Sequence, residues 1–336
     1  MKFGVQINTT SDPIDQLLDL VKLAEDVGFD AVFLTDGLSV LGRGRYDVYA
    51  AMALCAQATS RVQLGTCVTN FNLRHPLVTA QALCTIDEFS SGRAVLGIGS
   101  GDTPVYAVGQ GMMRLAQMAE ALHQMRAFMD GETFQAGGVA LQSTWRKPRL
   151  PICLAADGPK TLQLAGRAAD GVIVGSGSTR QVVQWAMERI REGLAEARKD
   201  EGEFTVWVNS LLQIADTHER AMEILGDRVL PRAYHNFRRS LNAVPAEHEA
   251  EVRRFRDLYI ENDRRPEILA KNLSNYTDYL AERFTIAGPA AYCLERLQSL
   301  QEIGVDHFIF ASQRRDRMAR RDLIKNFGER VIPHMK

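Results

Sequence analysis

The stretch Val95–Asp102 reads VLGIGSGD, with glycine at 97, 99 and 101 and a carboxylate at its end. Glycine weakens a strand interior, so its return at every second position implies close approach of another backbone or of a ligand. A flat ring resting on Gly99, Ser100 and Gly101 is one reading, and a Gly-rich turn without a ligand is the other. It is not a dinucleotide fingerprint, because GIGSGD lacks the last glycine of GxGxxG. Asp102 either handles protons or caps the turn toward Pro104. In the tripeptide Arg74-His75-Pro76, His75 is a candidate base or a buried, hydrogen-bonded structural histidine, and Arg74 a partner for a carboxylate or a substrate anion. There is no HxH, HExxH or carboxylate cluster for a metal and no GxSxG for a hydrolase nucleophile.

These residues have to be positioned by elements, and the chain alternates short apolar runs with helical patterns almost from end to end. Strands are predicted over 2–7, 30–36, 62–68, 94–101, 152–156, 171–175, 205–215 and 306–311. Helices are predicted over 14–27, 48–58, 78–89, 112–129, 159–169, 181–198, 289–303 and 316–327. Eight such units without a composition break predict an α/β fold, a (β/α)8 TIM barrel in one domain spanning 1–336, with a doubly wound sheet as competitor. FQAGGVALQ reads as a small hairpin. Residues 216–284 exceed any ordinary connection and form a charged, helical insertion after strand seven, over the end of the barrel where active sites lie. In it, RAYHNFRR places Tyr234, His235, Phe237 and Arg238 either on a distal wall of the site or on a solvated helix with its aromatics inward.

With 46% hydrophobic residues in 336 and a formal net charge of −1, a large core is available and no field recruits nucleic acid or an acidic membrane. The five scattered cysteines suit reduced core thiols, hence a cytoplasmic protein, and no apolar run is long enough to span a bilayer.

The predicted strand ends gather Gln6, Asn8, Asp36, Cys67 to Asn70, Gly99 to Asp102, Ala156 to Gly158, Gly175 to Ser178, Asn209 and Ser210. This mouth is small, polar and almost free of permanent charge, which suits an aromatic cofactor held by backbone groups. The segments CVTNFNLRHPLVTAQALCTIDEFSSGRAVLGIGSGD and AADGPKTLQLAGRAADGVIVGSG resemble the luciferase-like flavin-dependent oxidoreductase superfamily, in particular its methylenetetrahydromethanopterin-reductase-like branch. The resemblance runs over most of the chain. It implies a barrel that binds FMN or the deazaflavin coenzyme F420 at the strand ends.

By that resemblance, Cys67 and Val68 stand where the family often has a non-proline cis peptide, followed by Thr69 and Asn70. Ser176, Gly177, Ser178 and Gly175, with the turn Asp157, Gly158 to Lys160, resemble the phosphate-side loops, where N–H groups and hydroxyls meet an anion at a helix start. Gln6, Asp36, Thr66 and Ala156 complete the expected cofactor wall, and Asp102, Asn70 and His75 are the candidate catalytic residues. Two departures matter. Gly37 stands where many deazaflavin relatives have a histidine, and Gln6 where the reductase has an acid; glutamine cannot exchange a proton at ordinary pH. The expectation is therefore a two-component FMN-dependent monooxygenase oxidising a small organic substrate with O2 and reduced FMN from a separate flavin reductase. A coenzyme F420-dependent hydride-transfer reductase and a flavin-binding homologue without turnover are the alternatives. A homodimer packed through barrel helices is usual in the resembled family.

Overall fold

The strands are apolar on both faces, as parallel strands covered by helices must be. Lys2–Ile7 (β1) is buried from Phe3 onward. A computed structural model describes residues 1–9, 13–38, 46–144, 150–238, 240–261, 277–312 and 317–335. The strands that follow are Ala31–Leu34 (β2), Gln63–Thr66 (β3), Thr69–Asn70 (β4), Ala94–Gly99 (β5), Thr133–Ala136 (β6), Val139–Gln142 (β7), Ile152–Ala156 (β8), Gly171–Val174 (β9), Thr205–Ile214 (β10), Thr285–Gly288 (β11) and His307–Ser312 (β12).

Pairing runs in parallel through β12, β1, β2, β3, β5, β8, β9 and β10, and β10 returns to β12 from Trp207 to Leu211. The eight strands close, so the fold is a (β/α)8 barrel and the doubly wound sheet is excluded. The covering helices present apolar stripes of helical period, as in Ile14–Asp26, where Leu17, Leu20, Val21 and Ala24 are buried. Inside the barrel, Phe33 and Trp207 meet edge-to-face with centroids 5.1 Å apart and, with Val95, Cys153, Ile173 and Ile309, fill the lumen below the strand ends.

Strand three departs from its predicted range. It breaks after Thr66, and a two-residue strand resumes beside β5, with Thr69 opposite Ile98 and Asn70 opposite Gly99. The second strand ends at Leu34, short of Asp36. A short helix, Thr103–Ala107, follows the strand-four glycines, and the next begins at Leu115 rather than 112. The hairpin is present, antiparallel, turning at Gly137 and Gly138 with φ of 58° and 79°. The predicted start of the last helix, 316, lies outside the described residues; its described part is Arg317–Arg330.

After β10 the chain forms helices His218–Leu225, Val229–Phe237, Ala246–Glu261 and Thr277–Phe284 within the expected insertion. They share a second core of Leu225, Phe237, Val252, Phe255, Tyr259 and Phe284, which joins the barrel at Leu211, Ala287 and Ala311. The sequence reading missed β11, which extends β10 from Leu211 to Ile214 outside the closed ring. No described helix is long and apolar enough to cross a membrane.

Candidate active site

The three alternating glycines have three different causes. At Gly97 a Cβ would lie 1.9 Å from the Thr66 carbonyl oxygen, so two backbones meet there. Thr66 completes that contact: its hydroxyl donates to the Gly97 carbonyl at 2.6 Å and accepts from the Gly97 N–H at 3.1 Å. Gly101 has φ +89°, and a Cβ would press on Val105 at 2.5 Å. Gly99 alone leaves usable room: a Cβ would make ordinary contacts, 3.4 Å to Ala155 and 3.5 Å to Val68. It is the floor of the mouth.

Beside that floor the Cys67–Val68 peptide is cis. Gln6 Nε2 donates to the Cys67 carbonyl at 2.7 Å, and Asn209 Nδ2 faces Gln6 Oε1 at 3.4 Å and Cys67 Sγ at 3.5 Å. Burial pushes the Cys67 thiol up to about 12, so it is a neutral filler at ordinary pH. Asn209 Oδ1 is buried without a hydrogen-bond partner.

On one side, Asp36 is locked. Arg74 Nη1 donates to its Oδ2 at 2.7 Å, the Thr69 hydroxyl donates to the same oxygen at 2.7 Å, and Arg74 Nη2 reaches Asp47 at 2.8 Å. The Arg74 guanidinium also lies over the Tyr49 ring, 4.9 Å from its centroid. Burial alone would raise the Asp47 carboxyl, but Arg74 and the N–H groups of Ala50 and Tyr49 outweigh it and hold it low. Arg74 is therefore the carboxylate partner of the two earlier readings.

On the other side the insertion descends onto the strand ends. From helix Val229–Phe237, His235 Nδ1 lies 2.6 Å from Asp102 Oδ2, and Arg238 Nη1 donates to Asp102 Oδ1 at 2.7 Å. Burial would raise the Asp102 carboxyl, yet His235 and Arg238 hold it down at about 2. His235 Nε2 faces Asp157 Oδ2 at 3.7 Å. Arg232 Nη2 donates to the Asn209 carbonyl at 2.7 Å, while its Nε is buried without a partner. The expected neutral mouth is corrected here: its charge comes from a segment distant in sequence.

The loop Gly175–Ser178 is more occupied than an open anion cradle. The Gly175 N–H donates to Asp157 Oδ1 at 2.8 Å, and the Ser178 N–H to the Arg283 carbonyl at 2.7 Å; Ser178 Oγ lies 2.8 Å from Ser210 Oγ. Arg283, buried, ties the insertion down through the carbonyls of Ser176, Asn242 and Ala243 and the Tyr279 hydroxyl. Gly177, at φ +145°, leaves space for it: a Cβ would lie 2.8 Å from Arg283 Cγ.

A luciferase-like monooxygenase family model matches residues 1–307. The chain belongs to the luciferase-like family. This luciferase-like oxidoreductase is 29% identical to a 5,10-methylenetetrahydromethanopterin reductase of Archaeoglobus fulgidus, over all of both chains. It is 30% identical to an F420-dependent glucose-6-phosphate dehydrogenase of Beutenbergia cavernae, over all of this chain and 98% of that one. The coenzyme F420-dependent tetrahydromethanopterin reductase structure from Methanopyrus kandleri superposes with a TM-score of 0.81 at 24% identity, covering 100% and 99% of the two chains.

Within the luciferase-like barrel, Gln6, Cys67, Val68, Gly99, Asp102 and Asp157 come together at the mouth, and Asp36 and Thr69 form the ion-pair wall. Thr66 is spent between β3 and β5, and Ala156 is a buried strand residue opposite Val174. The Ser100 carbonyl accepts from the Met113 N–H at 2.9 Å, Gly158 precedes helix Pro159–Ala168, and Lys160 is exposed. Asn70 Oδ1 accepts from the N–H groups of Asn72 and Leu73, so it shapes the turn. His75 is not the buried histidine of the structural reading: it is exposed and caps helix Pro76–Phe89, its Nδ1 accepting from the Leu77 N–H at 3.3 Å. Asp102 makes no side-chain cap bond. Of the insertion residues, His235 and Arg238 reach the rim, whereas Tyr234 stacks on Tyr259 and Phe237 packs on Phe284. Arg232 and Arg283 were missed; the i, i+3, i+6 spacing of Arg232, His235 and Arg238 was the available signal.

Proposed function

We propose that this luciferase-like enzyme is a hydride-transfer oxidoreductase that uses coenzyme F420, in place of the expected FMN-dependent monooxygenase. The charged rim carries the reading. An oxygen-activating pocket has to keep water from its reactive species, and a cofactor cradle with small neutral walls that lacks two acid/base positions was the ground for expecting one. Hydride transfer to or from a carbon whose attached oxygen or nitrogen loses or gains a proton in the same reaction instead needs a side chain to take or give that proton. Asp102 and His235 supply such a pair at 2.6 Å, in a chain that has Gln6 and Gly37 where relatives carry ionisable groups. The F420 dependence in the names of the Beutenbergia relative and the Methanopyrus structure supports the same coenzyme.

The residues present fit a flat tricyclic ring. Gly99, with Val68 and Ala155 beside it, would support it, and Asn209 Oδ1, a buried acceptor with no partner, would meet a ring donor. Bound there, the deazaflavin supplies a two-electron hydride carrier. Gln6 holds the Cys67 carbonyl in place. Asp102 orients His235 through Nδ1, leaving Nε2 as the exchangeable position. The insertion, tied down by Arg283, limits access of water.

Titration of the purified protein with F420 and, separately, FMN, followed by oxygen-uptake measurements with reduced FMN in air, tests the reading. Saturable F420 binding with weaker FMN binding is expected; FMN binding without F420 binding, coupled to oxygen consumption, overturns it. A homodimer in the cytoplasm belongs to the same proposal, supported for the compartment by five buried free thiols. Light scattering at several concentrations checks the dimer. The separate flavin reductase belonged to the monooxygenase reading and has no part in this one.

A further inference from the structure

Two cations at this rim are paired by contact with carboxylates: Arg238 with Asp102, and Arg74 with Asp36 and Asp47. Arg232 is not. Among the described residues no carboxylate touches it; its Nη2 bonds to a carbonyl and its Nε, buried, to nothing. Its guanidinium lies directly on Gly175, where a Cβ would come within 2.8 Å of Nη2. Asp157 is the carboxylate whose charge it feels, yet Asp157 Oδ1 already accepts from the Gly175 N–H and Oδ2 faces His235. Arg283, the second buried guanidinium of the insertion, is hydrogen-bonded to carbonyls and a phenol only, and it too has Asp157 as its neighbouring carboxylate. Two cations of the insertion thus have one neighbouring carboxylate, Asp157, which pairs by contact with neither and gives one oxygen to the Gly175 N–H, an arrangement that a bound anion relieves.

We propose that Arg232 receives an anionic group of the substrate, a carboxylate or a phosphate, so that the enzyme acts on an organic anion. This rests on reading the mouth as the reaction chamber. Guanidinium groups suit such partners because their N–H groups form a planar fork matched to two oxygens.

The test titrates inorganic phosphate and acetate into the protein without coenzyme and follows binding by calorimetry and by the unfolding midpoint. Wild type and Arg253→Gln, an exposed control, should bind and be stabilised alike, and Arg232→Gln should bind about tenfold more weakly or less. Arg232→Lys, which keeps the charge and loses the fork, should fall between. Equal phosphate binding by wild type and Arg232→Gln overturns the proposal, and the midpoint without phosphate reports separately any loss of the tether to Asn209. F420 affinity should fall far less than phosphate affinity in Arg232→Gln, only as far as the lost tether to Asn209 disturbs the ring site; if it falls in parallel with phosphate binding, the anion is the coenzyme's own and the substrate assignment is wrong. A wild type that binds phosphate through Arg232 but binds no F420 would sink the coenzyme reading alone.

Discussion

Asp102 and His235 stand 2.6 Å apart although 133 residues of chain separate them, one at the end of β5 and the other on an insertion helix. The pair joins barrel to insertion, and it gives the Asp102 carboxyl its depressed position near 2, with Arg238 assisting. A carboxyl lower in the folded than in the unfolded chain stabilises above its unfolded pKa, and that stability is lost as pH falls through the folded value. Asp102→Asn should therefore cost about 1–2 kcal/mol at pH 7, with the gap from wild type closing between about pH 4 and pH 2. Urea melts of both proteins across that range check it.

His307 opens a different acid window. It sits at the opposite end of the barrel from the mouth, packed at a tilt against Trp207 with centroids 4.5 Å apart; burial first, then the nearby Lys2, pushes its pKa down to about 4. The neutral form is favoured on folding, so the stabilisation is complete above about 6.5 and lost as pH falls through 4. His307→Gln should flatten the stability profile between those values by about 2 kcal/mol, allowing for partial exposure. Wild-type and variant profiles that run parallel would refute this.

Removing Arg74 takes its ion-pair partner from Asp36, whose side chain is only 4% exposed, and leaves it the Thr69 hydroxyl among its described partners. Arg74→Gln should destabilise by about 2–4 kcal/mol, because an uncompensated buried charge costs more than the pair returns. Asp36→Asn in the same chain should recover most of that loss. Chemical denaturation of the two single variants and the double variant gives the coupling.

Gly97 and Gly99 should separate stability from binding. Gly97→Ala drives a methyl to within 1.9 Å of the Thr66 carbonyl and should lower the unfolding midpoint sharply. Gly99→Ala meets ordinary contacts and should fold like wild type, whereas Gly99→Leu should fold and lose coenzyme affinity. Thermal midpoints and F420 titrations on the same three variants decide it; undiminished affinity in folded Gly99→Leu would remove Gly99 from the site.

Much of the barrel was legible in the sequence. Parallel strands buried on both faces leave unbroken apolar runs, and amphipathic helices leave a helical period, so β1 to β12 could be placed apart from short pieces such as β4 and β11. The mouth residues Gln6, Cys67, Gly99 and Asp102 followed, since a barrel puts its strand ends at one face and each end can be counted along the chain. Tertiary structure decided what those residues do. Which glycine leaves space depends on what lies across from it: the Thr66 carbonyl at Gly97, Val105 at Gly101, and only Ala155 and Val68 at Gly99. The charge of the mouth was decided the same way. Arg232, His235, Arg238 and Arg283 read as members of a solvated, charged insertion, and local pattern says nothing of helices that return across 23 to 136 residues to lay their cations on the strand ends.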